Sequence, residues 1–171
     1  YPHFAKTTDA DLQALYAWLM AQEPVRAETP ANKLAFPFNQ RPLLAGWNAL
    51  FHKPDVFQSD QTKSEIWNRG AYLVEGLGHC SACHSPRNAL GGIEKDKAYT
   101  GASIDGWFAL NLSSNLHTGL GSWTVEQIAT YLKTGAVAGK TTALGPMALV
   151  VKNSTSQMSE ADLSAMATYL K

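Results

Sequence analysis

Two cysteines and a histidine form the most chemically specific group in the sequence. Cys80 and Cys83 are the two cysteines of the chain, and His84 follows the second one directly. Two cysteines cannot build the multi-bridge framework of a small secreted protein. Thiols one short turn apart can instead reach the two vinyl groups on one edge of a porphyrin, and the adjacent imidazole can bind the iron from below. The spacing predicts a covalently attached haem c.

Two other chemistries use a pair of cysteines at this spacing. A redox-active disulfide is typical of a strand-helix-strand setting, which the flanking residues do not suggest. A structural zinc site would need two further ligands at a matching spacing. Haem attachment is therefore the favoured interpretation of this group.

An iron that carries electrons without binding substrate needs a sixth ligand. Met147 lies in a Gly- and Thr-rich stretch that no helical period explains, so a loop could bring its thioether over the ring. Met20 and Met166 fall on helical stripes, and Met158 directly precedes a helix cap, so packing accounts for these three. We predict Met147 as the distal ligand, with His117 as the best histidine alternative. A Met/His pair raises the reduction potential relative to two imidazoles.

Composition excludes several other classes of function. Lys plus Arg equals Asp plus Glu at 14 each, so the chain has no global field for nucleic acid or an anionic membrane. Apolar residues make up 45% of the chain and charged residues 16%, which is typical of a globular protein. No stretch approaches the roughly 18 to 20 apolar residues of a membrane span. Because the first residue is Tyr1, we expect a mature, processed or excised chain.

Two helices near the ends share one pattern. Residues 8–15 (TDADLQAL) align without gaps with residues 159–166 (SEADLSAM), and Thr8 and Ser159 stand at the capping position of each. The similarity indicates one element used twice, although two unrelated amphipathic helices could agree by chance. We predict that residues 1–22 are the closing helix of a preceding domain.

The rest of the chain divides into a linker and one complete domain. Residues 23–60 carry five prolines, which break any long helix, and we predict a linker whose apolar stretch 43–51 packs against the preceding domain. Helical signals return in residues 61–171, with Thr124 as a cap and Gly135 as a stop. Long Gly- and Asn-rich stretches separate them, so this domain should be all-α with long loops.

The sequence resembles the cytochrome c subunits of bacterial membrane-associated dehydrogenases, in which several cytochrome domains lie in tandem. The resemblance covers nearly the whole chain, and its motifs are Phe36-Pro37-Phe38-Asn39, Arg69-Gly70-Ala71-Tyr72-Leu73-Val74, Gly78-His79-Cys80, Cys83-His84-Ser85-Pro86-Arg87, Gly106-Trp107, Gly119-Leu120-Gly121-Ser122-Trp123 and Gly145-Pro146-Met147. It implies a class I cytochrome c fold, few helices and long loops around one covalent haem. It also implies that the distal methionine of the first domain lies upstream of Tyr1, so one haem is expected here.

The resemblance implies further residues around the haem. Arg87 is placed to hold a haem propionate, the alternative being a solvated surface arginine. Trp107 and Asn111 lie where the family lines the haem edge, although Leu110 stands where proline is usual. Gly70 is expected to let the closing helix cross closely.

Electron transfer is the leading functional hypothesis, with no catalytic base and no enzyme activity of its own. The expected partners are a dehydrogenase catalytic subunit, neighbouring cytochrome c domains and quinone, and the expected location is the periplasm or the periplasmic face of the inner membrane, with peripheral membrane association. One alternative is a haem enzyme or gas sensor with an open distal position. Another treats residues 23–60 as an interaction arm that docks the domain on its partner.

Overall fold

A computed structural model describes residues 2–171, and helices form most of its regular structure. The seven α-helices within these residues are α1 (Asp9–Met20), α2 (Leu43–Phe51), α3 (Glu65–Tyr72), α4 (Ser81–His84), α5 (Val125–Thr134), α6 (Gly145–Asn153) and α7 (Glu160–Leu170). A π-helical turn, Leu73–Leu77, continues α3, and 3-10 turns lie at Phe4–Lys6, Lys95–Lys97 and Thr155–Gln157. Two short antiparallel hairpins pair β1 (Ala102–Ile104) with β2 (Trp107–Ala109) and β3 (Ala136–Val137) with β4 (Thr141–Thr142). The predominance of helix confirms the all-α prediction.

Helix boundaries follow from local capping chemistry. The side-chain oxygens of Thr8, Thr124 and Ser159 each accept a hydrogen bond from the backbone nitrogen three residues on, at 3.1 to 3.2 Å. These bonds satisfy donors that the first turn of a helix leaves unpaired. Gly135 ends α5 at φ 77°, a left-handed conformation that glycine adopts without a steric penalty. All four predicted boundaries are confirmed.

The core lies where α3 crosses α7. A β-carbon placed on Gly70 would lie 2.6 Å from the carbonyl carbon of Ala165, so only glycine permits this approach. Around the crossing, Val74, Leu163 and Met166 are almost completely buried. Burying side chains of this size contributes about 1.5 to 3 kcal/mol each to folding. The predicted close crossing is confirmed, and it fixes the turn that follows α3.

The N-terminal segment is tied to the end of α3. The hydroxyl of Tyr72 donates to Asp11 at 2.5 Å and accepts from the backbone nitrogen of Thr8 at 3.2 Å. Lys6 forms an ion pair with Glu75, whose other carboxylate oxygen accepts a hydrogen bond from Tyr169. Residues 6–11 therefore contact the end of α3 and the π-helical turn after it, and Glu75 connects this segment to α7.

The apolar face of α1 is exposed, unlike that of α7. Leu12 and Leu15 are 43% and 47% exposed, whereas the residues that match them in α7, Leu163 and Met166, are each 2% exposed. No residue of α1 is buried. Two helices with the same sequence pattern therefore have different surroundings.

Helix α2 packs on the loop that follows Arg87. Nε1 of Trp47 donates to the backbone oxygen of Leu90 at 2.9 Å. A β-carbon placed on Gly92 would lie 2.5 Å from Cε1 of Phe51, so the absent side chain makes room for this ring. The indole N–H needs an acceptor, and Leu90 supplies it. The packing of residues 43–51 against a preceding domain stays a prediction.

Within residues 2–171, no helix combines the length and the apolarity that a membrane span requires.

Candidate functional site

One short helical turn carries both thiols and the imidazole. Cys80 caps α4, and its backbone oxygen accepts from the nitrogens of Cys83 at 3.3 Å and His84 at 3.0 Å. Neither cysteine forms a disulfide. The turn follows the core directly, because the backbone nitrogen of Cys80 donates to Val74, a fully buried residue of the π-helical turn, at 3.1 Å. Cys80, Cys83 and His84 are therefore close in space as well as in sequence, and the turn that carries them is bonded to the buried core.

The imidazole of His84 is held by a backbone oxygen. Its Nδ1 lies 2.7 Å from the oxygen of Leu110. Because a carbonyl oxygen can only accept, Nδ1 must carry the proton and Nε2 is left with its lone pair. Burial lowers the pKa of His84, and the bond to Leu110 opposes this shift. A neutral ring with a fixed tautomer is the form in which histidine ligates a metal.

Burial also changes the pKa of one of the two thiols. It raises the pKa of Cys80 to about 12, so the free side chain is a neutral thiol packed against the apolar core. A neutral, buried thiol is poorly suited to redox exchange, which needs an accessible thiolate.

Met147 lies in the first turn of α6 and not in the loop that we expected. Gly145 and Pro146 open this helix, and proline is well suited to a first turn because it has no backbone N–H to leave unpaired. The side chain of Met147 is partly buried and packs against the core cluster. The residues after it, ALVV, run on without a helical period, which is why periodicity did not predict α6.

Trp107 contacts the turn that precedes Met147. A β-carbon placed on Gly145 would lie 2.5 Å from Cδ2 and 2.9 Å from Cζ2 of the indole. Trp107 is the first residue of β2, and Asp105 and Gly106 form the hairpin turn before it, both with positive φ. An Asp-Gly pair of this kind is a strong hairpin signal in a sequence.

Arg87 and Asn111 organise the loops around α4. The guanidinium of Arg87 donates to the backbone oxygens of Gly91 at 2.8 Å and Ala82 at 3.0 Å. The side chain of Asn111 accepts from the nitrogen of Ser113 at 2.8 Å and donates to the hydroxyl of Thr118 at 3.0 Å. Their contacts with a haem stay predictions. His117, the alternative histidine ligand, is exposed.

Ser85 and Tyr99 were not predicted and connect α4 to the following loop. The hydroxyl of Ser85, a residue only 1% exposed, accepts from the backbone nitrogen of Tyr99 at 2.9 Å. The backbone oxygen of Tyr99 accepts from Leu112 at 2.8 Å. The one sequence signal was the position of Ser85, a small polar residue next to His84. These bonds place residues 110–112 beside the imidazole.

Large apolar side chains next to His84 and next to the turn before Met147 are exposed. Leu110, which accepts from His84, is 57% exposed, and Leu144, next to Gly145, is 65% exposed. Trp107 is about half-exposed as well. Within residues 2–171, no three side chains of His, Cys, Asp or Glu are arranged as a metal-binding group. Thiols, a neutral imidazole and a thioether beside apolar surface are donors that fit a haem c and its hydrophobic ring.

Known proteins resemble the chain over its whole length. No family model matches it. One of the subunits of nicotinate dehydrogenase from Pseudomonas putida is 48% identical over 171 residues, which is 99% of this chain and 14% of that protein. The cytochrome subunit of fructose dehydrogenase from Gluconobacter japonicus is 40% identical, over 100% of this chain and 35% of its own length. A diheme c-type cytochrome from Cereibacter sphaeroides is 40% identical, over 100% of this chain and 55% of its own length.

The chain therefore spans between 14% and 55% of the length of the curated relatives it matches. Their names, together with the CxxCH turn, agree with the resemblance found in the sequence. The chain is similar, over its whole length, to a part of the cytochrome c subunits of several bacterial dehydrogenases.

Proposed function

We propose that residues 61–171 carry electrons through one covalently bound haem c with His84 and Met147 as axial ligands. The observation that carries the proposal is the turn of α4, which presents two thiols and a neutral imidazole within five residues. Haem c, when bound, supplies an iron that takes up and releases one electron at a time. Two cysteines are enough for one such group.

Each residue has a distinct role in this proposal. Cys80 and Cys83 would hold the group through thioether bonds. His84 would bind the iron through Nε2, because the hydrogen bond from Nδ1 to Leu110 fixes the ring and increases its basicity. Met147 would supply the second ligand and exclude exogenous ones. In this proposal Arg87, Trp107 and Asn111 border the group.

The names of the relatives support a place in a dehydrogenase complex. The chain's match to cytochrome subunits of fructose, gluconate and alcohol dehydrogenases favours a dehydrogenase subunit as the electron donor. The acceptor is then another haem, quinone or a later carrier of the respiratory chain. Because haem c is attached outside the cytoplasm, the domain works in the periplasm or on the periplasmic face of the inner membrane.

The exposed face of α1 supports the predicted domain boundaries. The matching face of α7 is covered by α3, with Gly70 against Ala165 at the crossing. Ala14 is the residue of α1 that aligns with Ala165. In the longer polypeptide, a glycine-containing helix of a preceding cytochrome c domain crosses α1 at Ala14, which makes residues 1–22 the end of that domain and 23–60 the linker.

The optical spectrum of the haem-loaded protein tests the function. Wild type should be low-spin, show the weak sulfur-to-iron band at the red end when oxidised, and not bind carbon monoxide when reduced. Met147→Ala should lose the band and bind carbon monoxide, while Met158→Ala, which removes another partly buried methionine, should do neither. A wild type that lacks the band and binds carbon monoxide would contradict the electron-carrier proposal in favour of a ligand-binding haem.

Mass spectrometry of the denatured protein tests the covalent attachment of the haem. Wild type should carry one haem per chain that survives denaturation, and replacement of both cysteines by serine should leave none attached. A covalent haem in the doubly substituted chain would overturn the assignment of the two thiols.

A further inference from the structure

The segment from Trp107 to Leu110 contacts His84, one of the proposed axial ligands, and Gly145, which lies two residues before the other, Met147. At its far end, Leu110 accepts the hydrogen bond from His84 at 2.7 Å. At its near end, the indole of Trp107 lies against Gly145, two residues before Met147. These two contacts come from one strand and the residue that follows it, so one rigid element connects both sides of the site.

The hairpin that carries Trp107 is locally constrained. Ile104 and Trp107 pair across its turn, and φ is 48° at Asp105 and 77° at Gly106. A two-residue turn with both φ values positive matches the natural twist of antiparallel strands. The hairpin therefore sets the direction in which the side chain of Trp107 leaves the backbone, and the indole lies against Gly145.

Gly145 meets two independent requirements at the contact. Its φ of 51° lies in the left-handed region, where a β-carbon is strained. Its missing side chain also leaves the space that the indole fills. Pro146 then fixes its own φ near the helical value, so Gly145 is the flexible position before Met147 and the indole limits it.

Building on the proposed ligation by Met147, we propose that Trp107 is a positioning residue that holds Met147 over the iron by packing against Gly145. The role differs from lining the haem edge, because it acts through the backbone of the methionine turn. Without the indole, that turn can swing on Gly145, and the thioether leaves its position more often.

Displacement of Met147 by exogenous imidazole measures this effect directly, because the methionine must leave before imidazole can bind. Trp107→Ala should accelerate displacement about tenfold and weaken the sulfur-to-iron band, since the barrier to methionine release falls. Trp107→Phe keeps a flat ring at the contact and should recover most of the wild-type rate. A far-UV circular dichroism spectrum establishes that each variant is folded.

Glycine variants separate the indole contact from backbone strain. Gly145→Ala should accelerate displacement, and part of its effect should vanish when Trp107→Ala is already present, because the side chain it collides with is gone. Gly139→Ala is the matched control, since Gly139 has φ 73° but nothing within 4 Å of a β-carbon. It should leave the displacement rate unchanged.

The outcomes distinguish the two proposals. If Met147→Ala leaves the band and carbon monoxide binding as in wild type, the proposed ligation fails. Two results would overturn the positioning role of Trp107 even if Met147 is a ligand. One is that imidazole displaces Met147 in Trp107→Ala at the wild-type rate. The other is that the effects of Gly145→Ala and Trp107→Ala on this rate are strictly additive.

Discussion

Lys6 and Glu75 form an ion pair that ties the N-terminal segment to the π-helical turn just before Cys80. Their side chains are about one-third exposed. The other carboxylate oxygen of Glu75 accepts from Tyr169 in α7. One carboxylate thus connects the N-terminal segment, the turn that leads into α4 and the closing helix.

Replacing the carboxylate of Glu75 should have a moderate, salt-dependent effect on the free energy of unfolding. Glu75→Gln loses the ion pair but keeps an amide oxygen for Tyr169, so the free energy of unfolding should fall by about 1 kcal/mol or less. Urea unfolding of the haem-loaded protein at low and high salt measures this. Lys6→Met should give a similar loss. The variant with both Glu75→Gln and Lys6→Met should lose no more free energy of unfolding than either single variant. Fully additive losses would show that the two side chains are not coupled.

Truncating matching apolar side chains in α1 and α7 should have very different effects on the free energy of unfolding. Met166→Ala empties a buried core position and should reduce the free energy of unfolding by about 2 to 5 kcal/mol. Leu15→Ala, at the matching position of α1, should change it by less than about 0.5 kcal/mol, because Leu15 is half-exposed. Chemical denaturation of both variants makes the comparison. Equal losses would mean that α1 is covered in solution and would contradict its exposed face.

Sequence reasoning succeeded where one residue and its near neighbours decide the structure. Thr8, Thr124 and Ser159 were identified as caps because each needs only the nitrogen three residues on. The CxxCH turn was equally local. Gly70 was predicted at a crossing because a helical glycine on an apolar face indicates close packing, although the resemblance was needed to name its partner.

Contacts between segments far apart in the chain could not be predicted in this way. The partner of α2 depends on Leu90 and Gly92, some forty residues away from Trp47, and no local pattern connects them. The bond from His84 to Leu110 involves a backbone oxygen, which carries no sequence signal at all. The hairpin turn at Asp105 and Gly106 was recognisable, and overlooking it concealed the contact between Trp107 and Gly145.

The pair between Arg69 and Asp162 should make stability depend on acid pH. Nε of Arg69 donates to Oδ1 of Asp162 at 2.8 Å, and this bond lowers the pKa of Asp162 below its usual 3.8. A depressed folded-state pKa means that the stabilisation is present above the unfolded-state pKa and is lost as the pH falls through the folded-state pKa. Because the pair is partly exposed, we expect several tenths of a kcal/mol at neutral pH.

Asp162→Asn removes the titrating group at nearly constant size. The variant should be less stable than wild type at pH 7, and the difference should shrink as the pH falls below 3.8. Free energies of unfolding measured from neutral to acid pH give the two curves. A constant offset at all pH values would mean that the substitution disturbs packing and that the ion pair contributes nothing.

Two helical glycines with different surroundings allow the sharpest test of the core. Gly70→Ala places a β-carbon 2.6 Å from the carbonyl carbon of Ala165, which belongs to the backbone of α7 and cannot turn away. We expect a loss of about 3 kcal/mol in the free energy of unfolding. Ala165→Gly should not rescue the variant, because the collision is with backbone atoms.

Gly46→Ala is the matched substitution, since Gly46 lies within α2 and nothing is within 4 Å of a β-carbon there. Alanine should stabilise α2 by up to about 1 kcal/mol because glycine is a poor helix former. Amide exchange in residues 43–51 should slow, while the global unfolding transition stays in place. If Gly70→Ala proves as harmless as Gly46→Ala, α3 and α7 do not approach as closely as described, and the rigid support of the CxxCH turn would have to come from elsewhere.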